Sequence, residues 1–309
     1  GEVSIRQVFH YMACVCAVQA LLGIVIDSVP VIQDWVDTYI AQNTELFHKT
    51  KRLYGIGAGF DTAGIRFSCA LLGLGYLLTH RVSDKQTMWY WGLFFTIGIL
   101  GNIMSRTTTV GLVLALLYMA FTHFSLNIQL DSSKMKSFIH SILLAGVVAG
   151  ITYYCYHHFP VFRNNLQYGF EGFVNWYETG DWNTSSTSRL QKMFILPDNL
   201  KTWLIGDGWF DNPDEPGGFY KYTDIGYLRF IFYCGCIGLS LFVSFFICCT
   251  VILFRKWKED RFFLLLLFLL KLIVWVKIST DIFLVYALLL LLDRPVPVQD
   301  NVYSPKTTI

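Results

Sequence analysis

Long apolar runs alternate with short polar breaks along this chain. The runs lie near 6–27, 62–79, 88–104, 108–126, 137–157, 225–254 and 261–292. A helix needs about 20 apolar residues to cross the hydrocarbon core of a bilayer, and each run meets or approaches that length. The last is too long for one straight helix, and Lys271, Lys277 and Asp281 interrupt it. Two short helices, near 261–276 and 279–292, are expected there. Lys277 and Asp281 are spaced as neighbours on one helical face, so they are expected to pair. The pattern predicts an all-α, polytopic integral membrane helical bundle of about seven or eight spans. No internal repeat recurs at a fixed period, and no span outside this last run reads as a broken helix.

One polar island separates the two apolar halves. Residues 158–224 are rich in Trp, Tyr, Phe, Asp and Asn. Irregular backbone is not tolerated where it faces lipid, so this segment is expected outside the membrane as one large loop. Binding and catalytic residues concentrate in loops held by a rigid scaffold, which makes the loop and the helix ends beside it the place to look for chemistry. The whole of 1–309 reads as a single membrane domain. It opens on Gly1-Glu2-Val3 with no starting Met and no signal-peptide pattern, so upstream helices are expected to be missing.

Orientation follows from basic residues in short loops. The loop 80–87 carries Arg81 and Lys85, 127–137 carries Lys134 and Lys136, and 255–261 carries Arg255, Lys256, Lys258 and Arg261. Alternation of spans places all three on one side, expected to be cytoplasmic. A split of the last run would bring Arg294 to that side too. The opposite face then holds 28–61, the turn at 105–109 and the large loop.

Composition narrows the class. The chain is 54% hydrophobic and only 15% charged, with a formal net charge of +2; its mean hydropathy is +0.47. Globular domains carry about 25% charged residues. A nucleic-acid partner would need a concentrated basic face, which is not seen. The 8 cysteines lie in or beside apolar segments, where thiols act as small hydrophobes. Neither Cys14/Cys16 nor Cys234/Cys236 has metal-ligand spacing. His157 and His158 match no metalloenzyme motif, and no metal site is expected. The run Ile205 to Phe210 is Gly-rich but follows no strand and opens no helix, so it is read as a tight turn.

Four polar clusters lie at segment mouths on the loop side. Arg52 precedes a Gly-rich approach to a span, and Arg66 sits just inside it. Arg106 occupies a turn between two spans. Arg189 lies within the loop. Asp224 stands at the threshold of a span, with Arg229 about one turn into it and Tyr220 and Trp209 nearby. Each has an ordinary structural explanation. Arginines at helix ends extend to the interface, Asp224 fits an N-cap, and loop aromatics form interfacial belts as readily as sugar-stacking surfaces. The set carries more than its members, because ionisable groups within spans are costly and usually face a cavity. Converging arginines suit a phosphate, whose oxygens the planar guanidinium binds in pairs. A carboxylate among them can take a proton from a hydroxyl.

The order of these features resembles a known family. Arg-x-x-Gly-x-Gly (Arg52, Gly55, Gly57) precedes a span, and an Arg-Thr turn (Arg106, Thr107) joins two spans. Ser186 to Gly208 reads S-x-S-R-L…P…L-I-G-D-G, and Thr223 to Gly238 reads T-D-I-G-Y-L-R-F…G-C-I-G. This is similar to the O-antigen and capsular polysaccharide repeat-unit polymerases (Wzy type) of the O-antigen ligase/polymerase superfamily, over nearly the whole chain, and most of all to exopolysaccharide polymerases of Gram-negative bacteria. The motifs are short and degenerate. The resemblance implies a multi-pass glycosyltransferase of the bacterial inner membrane with its active face periplasmic. It implies polymerisation of undecaprenyl-diphosphate-linked oligosaccharide, with lipid-linked donor and acceptor, no cofactor, and a chain-length regulator as partner. Arg52 and Arg106 match diphosphate-gripping arginines; Arg66, Arg189 and Arg229 match less closely. Many ligase-like members carry a His where this chain has Asp224, which favours polymerase over ligase and leaves the general base open. An O-antigen ligase acting on lipid A core is the alternative within the family. A lipid-linked oligosaccharide transporter, working through Lys271, Lys277 and Asp281, is the alternative outside it.

Overall fold

A computed structural model describes residues 3–42, 47, 48, 52–57, 59–80, 83–125, 132–215 and 217–292, without the side chains of 123–125, 132–142 and 161. Arg81, Arg294 and the side chains of Lys134 and Lys136 therefore lie outside the described residues. The regular structure of the described residues is helical, with an isolated bridge between Asp211 and Phe219. We number the helices α1 (Ile5–Ser28), α2 (Pro30–Tyr39), α3 (Phe60–Thr79), α4 (Asp84–Met104), α5 (Thr108–Ser125), α6 (Ser132–His158), α7 (Pro160–Gly169), α8 (Glu171–Thr179), α9 (Ser185–Lys192), α10 (Leu200–Ile205), α11 (Gly226–Lys256), α12 (Arg261–Val274) and α13 (Phe283–Leu291).

Three of these, α1, α3 and α11, are long and apolar enough to cross a membrane. The outward faces of α1 and α11 are apolar. Val15, Val18 and Leu21 on α1 and Ile237, Leu241 and Ile252 on α11 are exposed apolar side chains, and contiguous apolar surface of this kind marks contact with lipid or protein. Helix α2 departs from the bundle. Pro30 starts it, and Val36 is its one buried residue. Val31, Trp35 and Tyr39 face outward, the pattern of a helix lying in a membrane interface.

Helix α3 is the hub, packed on α1, α4, α5 and α12. Small residues let α5 approach it closely. A Cβ at Gly111 would lie 2.5 Å from Ser68 Cβ, and one at Gly64 would lie 2.9 Å from Thr107 Cβ.

The last apolar run does divide. Helix α12 spans 14 residues, about 21 Å at 1.5 Å per residue, short of a full crossing. The chain turns at 275–282 and returns as α13. The turn docks on the start of α11: Tyr227 N donates to Trp275 O at 3.0 Å, and Tyr227 Oη to Leu272 O at 2.9 Å. A Cβ at Gly226 would lie 2.5 Å from Trp275 O, so this approach needs glycine there.

A broken helix that the sequence pattern does not reveal lies in α11. Gly235 has φ 66°, left-handed backbone that only glycine adopts without penalty. The break exposes carbonyls, and the Gly-rich turn after α10 satisfies two of them. Asp207 N donates to Phe232 O at 2.6 Å and Gly208 N to Tyr233 O at 3.1 Å. The Ile205–Phe210 run is thus a tight turn, as read, and its task is to cap an interrupted helix.

Two of the basic loops meet at the end of the bundle away from 158–224. His80 Nε2, after α3, lies 3.7 Å from Asp260 Oδ1, before α12. Lys256 Nζ donates to Leu290 O at 2.8 Å, a cation at the carbonyl end of α13 where the helix dipole favours it.

Candidate functional site

The polar groups at the loop end fall into three linked sets. The first centres on Asp61, in the first turn of α3. Lys277 Nζ, from the α12–α13 turn, donates to Asp61 Oδ1 at 2.5 Å and to Thr107 Oγ1 at 3.3 Å. Ser105 Oγ donates to Asp61 Oδ1 at 3.1 Å, and Thr107 Oγ1 donates to the same atom. All three donors act on Oδ1, so the carboxylate is fixed with Oδ2 unengaged among the described residues. Lys277 and Asp281 do not pair as their spacing predicts. The helix ends at Val274, before either residue, so the helical spacing never forms, and Asp281 Oδ1 instead accepts from Phe283 N at 2.8 Å.

Hydroxyls of α3 and of the start of α5 brace the turn bearing Arg106. Ser68 Oγ donates to Thr107 O at 2.9 Å, Thr108 Oγ1 to Gly101 O at 3.0 Å, and Thr109 Oγ1 to Asn102 Oδ1 at 2.5 Å. Buried polar groups need such partners.

The second set joins Arg52, Tyr168 and Arg106. The Arg106 guanidinium carbon stands 3.9 Å from the centre of the Tyr168 ring, and that of Arg52 stands 4.9 Å from it. Both cations share one aromatic ring, an arrangement that pays Coulomb repulsion to keep them close. Their states differ. Arg106 is fully engaged: Nη2 lies 2.5 Å from Glu171 Oε2, Nε donates to Tyr168 O at 2.9 Å, and Nη1 donates to Ser185 Oγ at 3.2 Å. Glu171 also caps α9, accepting from Ser185 N at 3.1 Å. The Arg52 guanidinium, half-buried, has no hydrogen-bond acceptor or ion-pair partner among the described residues. It is 5.1 Å from the Phe60 ring. Burial pulls its proton affinity down, while Tyr168 and Asp61 act the other way.

The third set surrounds Arg229, buried in the first turns of α11. Its Nη2 donates to Asp211 Oδ1 at 2.9 Å and to Phe210 O at 3.1 Å, and Nη1 lies 3.6 Å from Asp224 Oδ1. The rings of Phe210 and Phe219 flank the guanidinium at 3.9 and 4.5 Å. Asp211, which the sequence alone does not assign, is thus a direct partner of Arg229. Asp224 is not an N-cap: Ile225 holds that position. Asp224 Oδ1 is buried with no hydrogen-bond donor among the described residues. Burial pushes its carboxyl up to about 6, with the Asp61 charge adding to the rise and Arg229, Arg189 and Lys277 opposing it.

Those influences tie the sets together. Asp224 feels Asp61, Lys277 and Arg189, while Arg52 feels Asp61, Arg106 and Arg189. Arg189 is exposed, and its side chain forms no hydrogen bond or ion pair among the described residues. Arg66 stands apart, exposed on α3, where Nη1 donates to Gly57 O at 3.4 Å. Tyr220 is a brace: its Oη donates to Asp207 Oδ2 at 3.3 Å, and its ring meets Phe232 edge-on. Trp209 is exposed.

Both carboxylates follow left-handed backbone at non-glycine residues. Phe60 has φ 49°, and Lys221 and Tyr222 have 52° and 55°. Such residues cost about 1–3 kcal/mol each and persist where surrounding structure imposes them. Asp61, Asp211, Tyr168 and Glu171 are site residues to which the sequence assigns no role. For Asp61 a signal exists, an acid in the first turn of a span, as costly there as the arginines.

Lys271 belongs to a different environment. It is fully buried; among the described residues its Nζ lacks a hydrogen-bond partner and lies over the Phe246 ring, 4.8 Å from Phe242 and 4.2 Å from Trp275. No group of three or more metal-ligating side chains occurs among the described residues.

Comparison with known proteins adds no relative: no family model, no curated protein and no solved structure matches this chain.

Proposed function

We propose that this protein is a membrane glycosyltransferase that polymerises undecaprenyl-diphosphate-linked oligosaccharide repeat units at the periplasmic face of a bacterial inner membrane, as its resemblance to the Wzy-type polymerases implies. In this reading α1, α3 to α6, α11 and the α12–α13 hairpin lie in the bilayer as about seven or eight spans, with α7 to α10 outside. The observation that carries it is the half-buried Arg52 guanidinium. Among the described residues its donors meet no acceptor, and it shares the Tyr168 ring with Arg106. Two cations held together on one ring suit a ligand with two adjacent negative charges.

In the reaction, a hydroxyl oxygen of the acceptor sugar attacks the anomeric carbon of the donor, and the bond from that carbon to the diphosphate oxygen breaks. The leaving diphosphate keeps the electron pair, and Arg52 and Arg106 stabilise its charge where it develops. The hydroxyl proton passes to Asp224. Its raised proton affinity suits a base working near neutral pH. A single displacement inverts the anomeric centre. Asp61 acts through Asp224 by its charge and is held by Lys277, which makes both positioning residues. Arg189, on the loop side, is free to meet phosphate, and the exposed Trp209 offers a ring to a sugar face.

The test is complementation of a deletion strain with wild type or Arg52→Ala, reading surface glycan by gel and protein by blot. Collapse of a ladder to a single repeat unit with Arg52→Ala supports polymerase. Loss of all glycan from lipid A core while lipid-carried polymer persists means ligase. The transporter reading draws on the broken α11, the short α12 and α13, and buried Lys271, since discontinuous helices mark transporter sites. It gains if Lys271→Met abolishes glycan export while Arg52→Ala does not.

A further inference from the structure

A polar cleft opens beside Arg52. Its volume is about 410 Å³, within the usual range of small-ligand sites, about 300–1,000 Å³. Asp27 at the end of α1, Gln33 on α2, Arg52 and Tyr54 on the connecting segment, and Asn164 and Asn165 on α7 line it. Much of its hydrogen-bonding capacity is unspent. Asp27, Asn164 and Asn165 form no side-chain hydrogen bond or ion pair among the described residues. Tyr54 is held in place: its Oη donates to Asp37 Oδ1 at 2.8 Å, and its ring stacks on Phe47 with centroids 4.7 Å apart.

We propose that this cleft binds the sugar residues of the lipid-linked glycan next to its diphosphate. The inference rests on the polymerase reading, and it names where the glycan lies. Amides both donate and accept, so Gln33, Asn164 and Asn165 match neighbouring hydroxyls, which do the same. Asp27 accepts from a hydroxyl and repels a second anion. Phosphate is therefore turned toward the Arg52–Arg106 side and hydroxyls toward Asp27, a division made by repulsion as well as attraction. Arg52 is the shared wall, so a diphosphate on its guanidinium leaves the first sugars at the mouth of the cleft.

The experiment uses the full chain in lipid nanodiscs with two probes, bare undecaprenyl diphosphate and the undecaprenyl-diphosphate-linked glycan extracted from cells that make this protein. The double variant N164A/N165A should bind the glycan-bearing lipid about tenfold more weakly, the loss of about one net hydrogen bond. Its affinity for the bare lipid should match wild type, which also reports an intact fold. R52A should weaken both probes. Equal binding of both probes by the double variant and wild type overturns the cleft assignment while leaving the anion site standing. Equal weakening of both overturns it too, because the amides then serve phosphate or fold. A wild-type chain that binds neither probe overturns the polymerase reading and the cleft together.

Discussion

Lys277 Nζ reaches Asp61 Oδ1 at 2.5 Å across 216 positions of sequence. The contact ties the α12–α13 turn to the first turn of the central helix. Removing one partner leaves an uncompensated charge in a partly buried place, which costs more than removing both. Lys277→Met and Asp61→Asn should each lower stability by about 1–3 kcal/mol, the range for an orphaned buried polar group. The double variant should recover part of the loss. Thermal unfolding in detergent, run as a double-mutant cycle, measures the coupling; additive losses would mean the pair contributes nothing.

The pH dependence follows from Asp224. Its folded carboxyl is raised from 3.8 to about 6. Between those values the native chain holds a proton that the unfolded chain releases, so this group's contribution to stability falls as pH rises through the window. Activity runs the other way. A base must be ionised, so transfer should fall below about pH 6, and Asp224→Asn should abolish that limb along with most of the rate. Asp61→Asn removes a negative neighbour and leaves Lys277 uncompensated. Both changes favour ionised Asp224, so the acid limb should move to lower pH. A limb that stays in place in Asp61→Asn would separate the two carboxylates.

Glu171 occupies the Arg106 fork at 2.5 Å. Diphosphate and Glu171 then compete for one guanidinium. Glu171→Gln keeps the shape and the cap on α9 but drops the charge, and a hydrogen bond to a charged partner contributes about 1.5–3 kcal/mol. Affinity for undecaprenyl diphosphate should rise about tenfold in E171Q, as measured by titration in nanodiscs. An unchanged or weaker affinity would mean that Glu171 positions Arg106 for the ligand instead of competing with it.

Gly235 breaks α11 at φ 66°, and the turn after α10 fills the gap. Alanine there is strained in backbone and meets Leu204. Gly235→Ala should destabilise by about 1–3 kcal/mol and loosen the 205–210 turn. Faster hydrogen exchange at Asp207 and Gly208, whose amides cap the broken helix, would register the change.

The legible part of the fold is the part written in local periodicity. The apolar runs locate the long helices to within a few residues, and the charges at Lys277 and Asp281 mark where the last run divides. The helix spacing of Lys277 and Asp281 misleads, because the helix has ended before either residue and the true partner lies in α3. The break at Gly235 is also hidden, since an apolar window reads through a lone glycine. Among site residues, the arginines stand out because a charge near a span is conspicuous. Tyr168 and Glu171 do not, being ordinary loop residues until the fold brings them to Arg106.

The most direct measurement is polymer formation by the purified full chain in proteoliposomes supplied only with undecaprenyl-diphosphate-linked repeat units. The account predicts a ladder of lengthening lipid-linked glycan from wild type. With Arg52→Ala the initial rate should fall by about 10²–10³, the effect of removing one donor to a developing anion. A folded wild-type chain that forms no polymer, or an Arg52→Ala chain that polymerises at the wild-type rate, would contradict it.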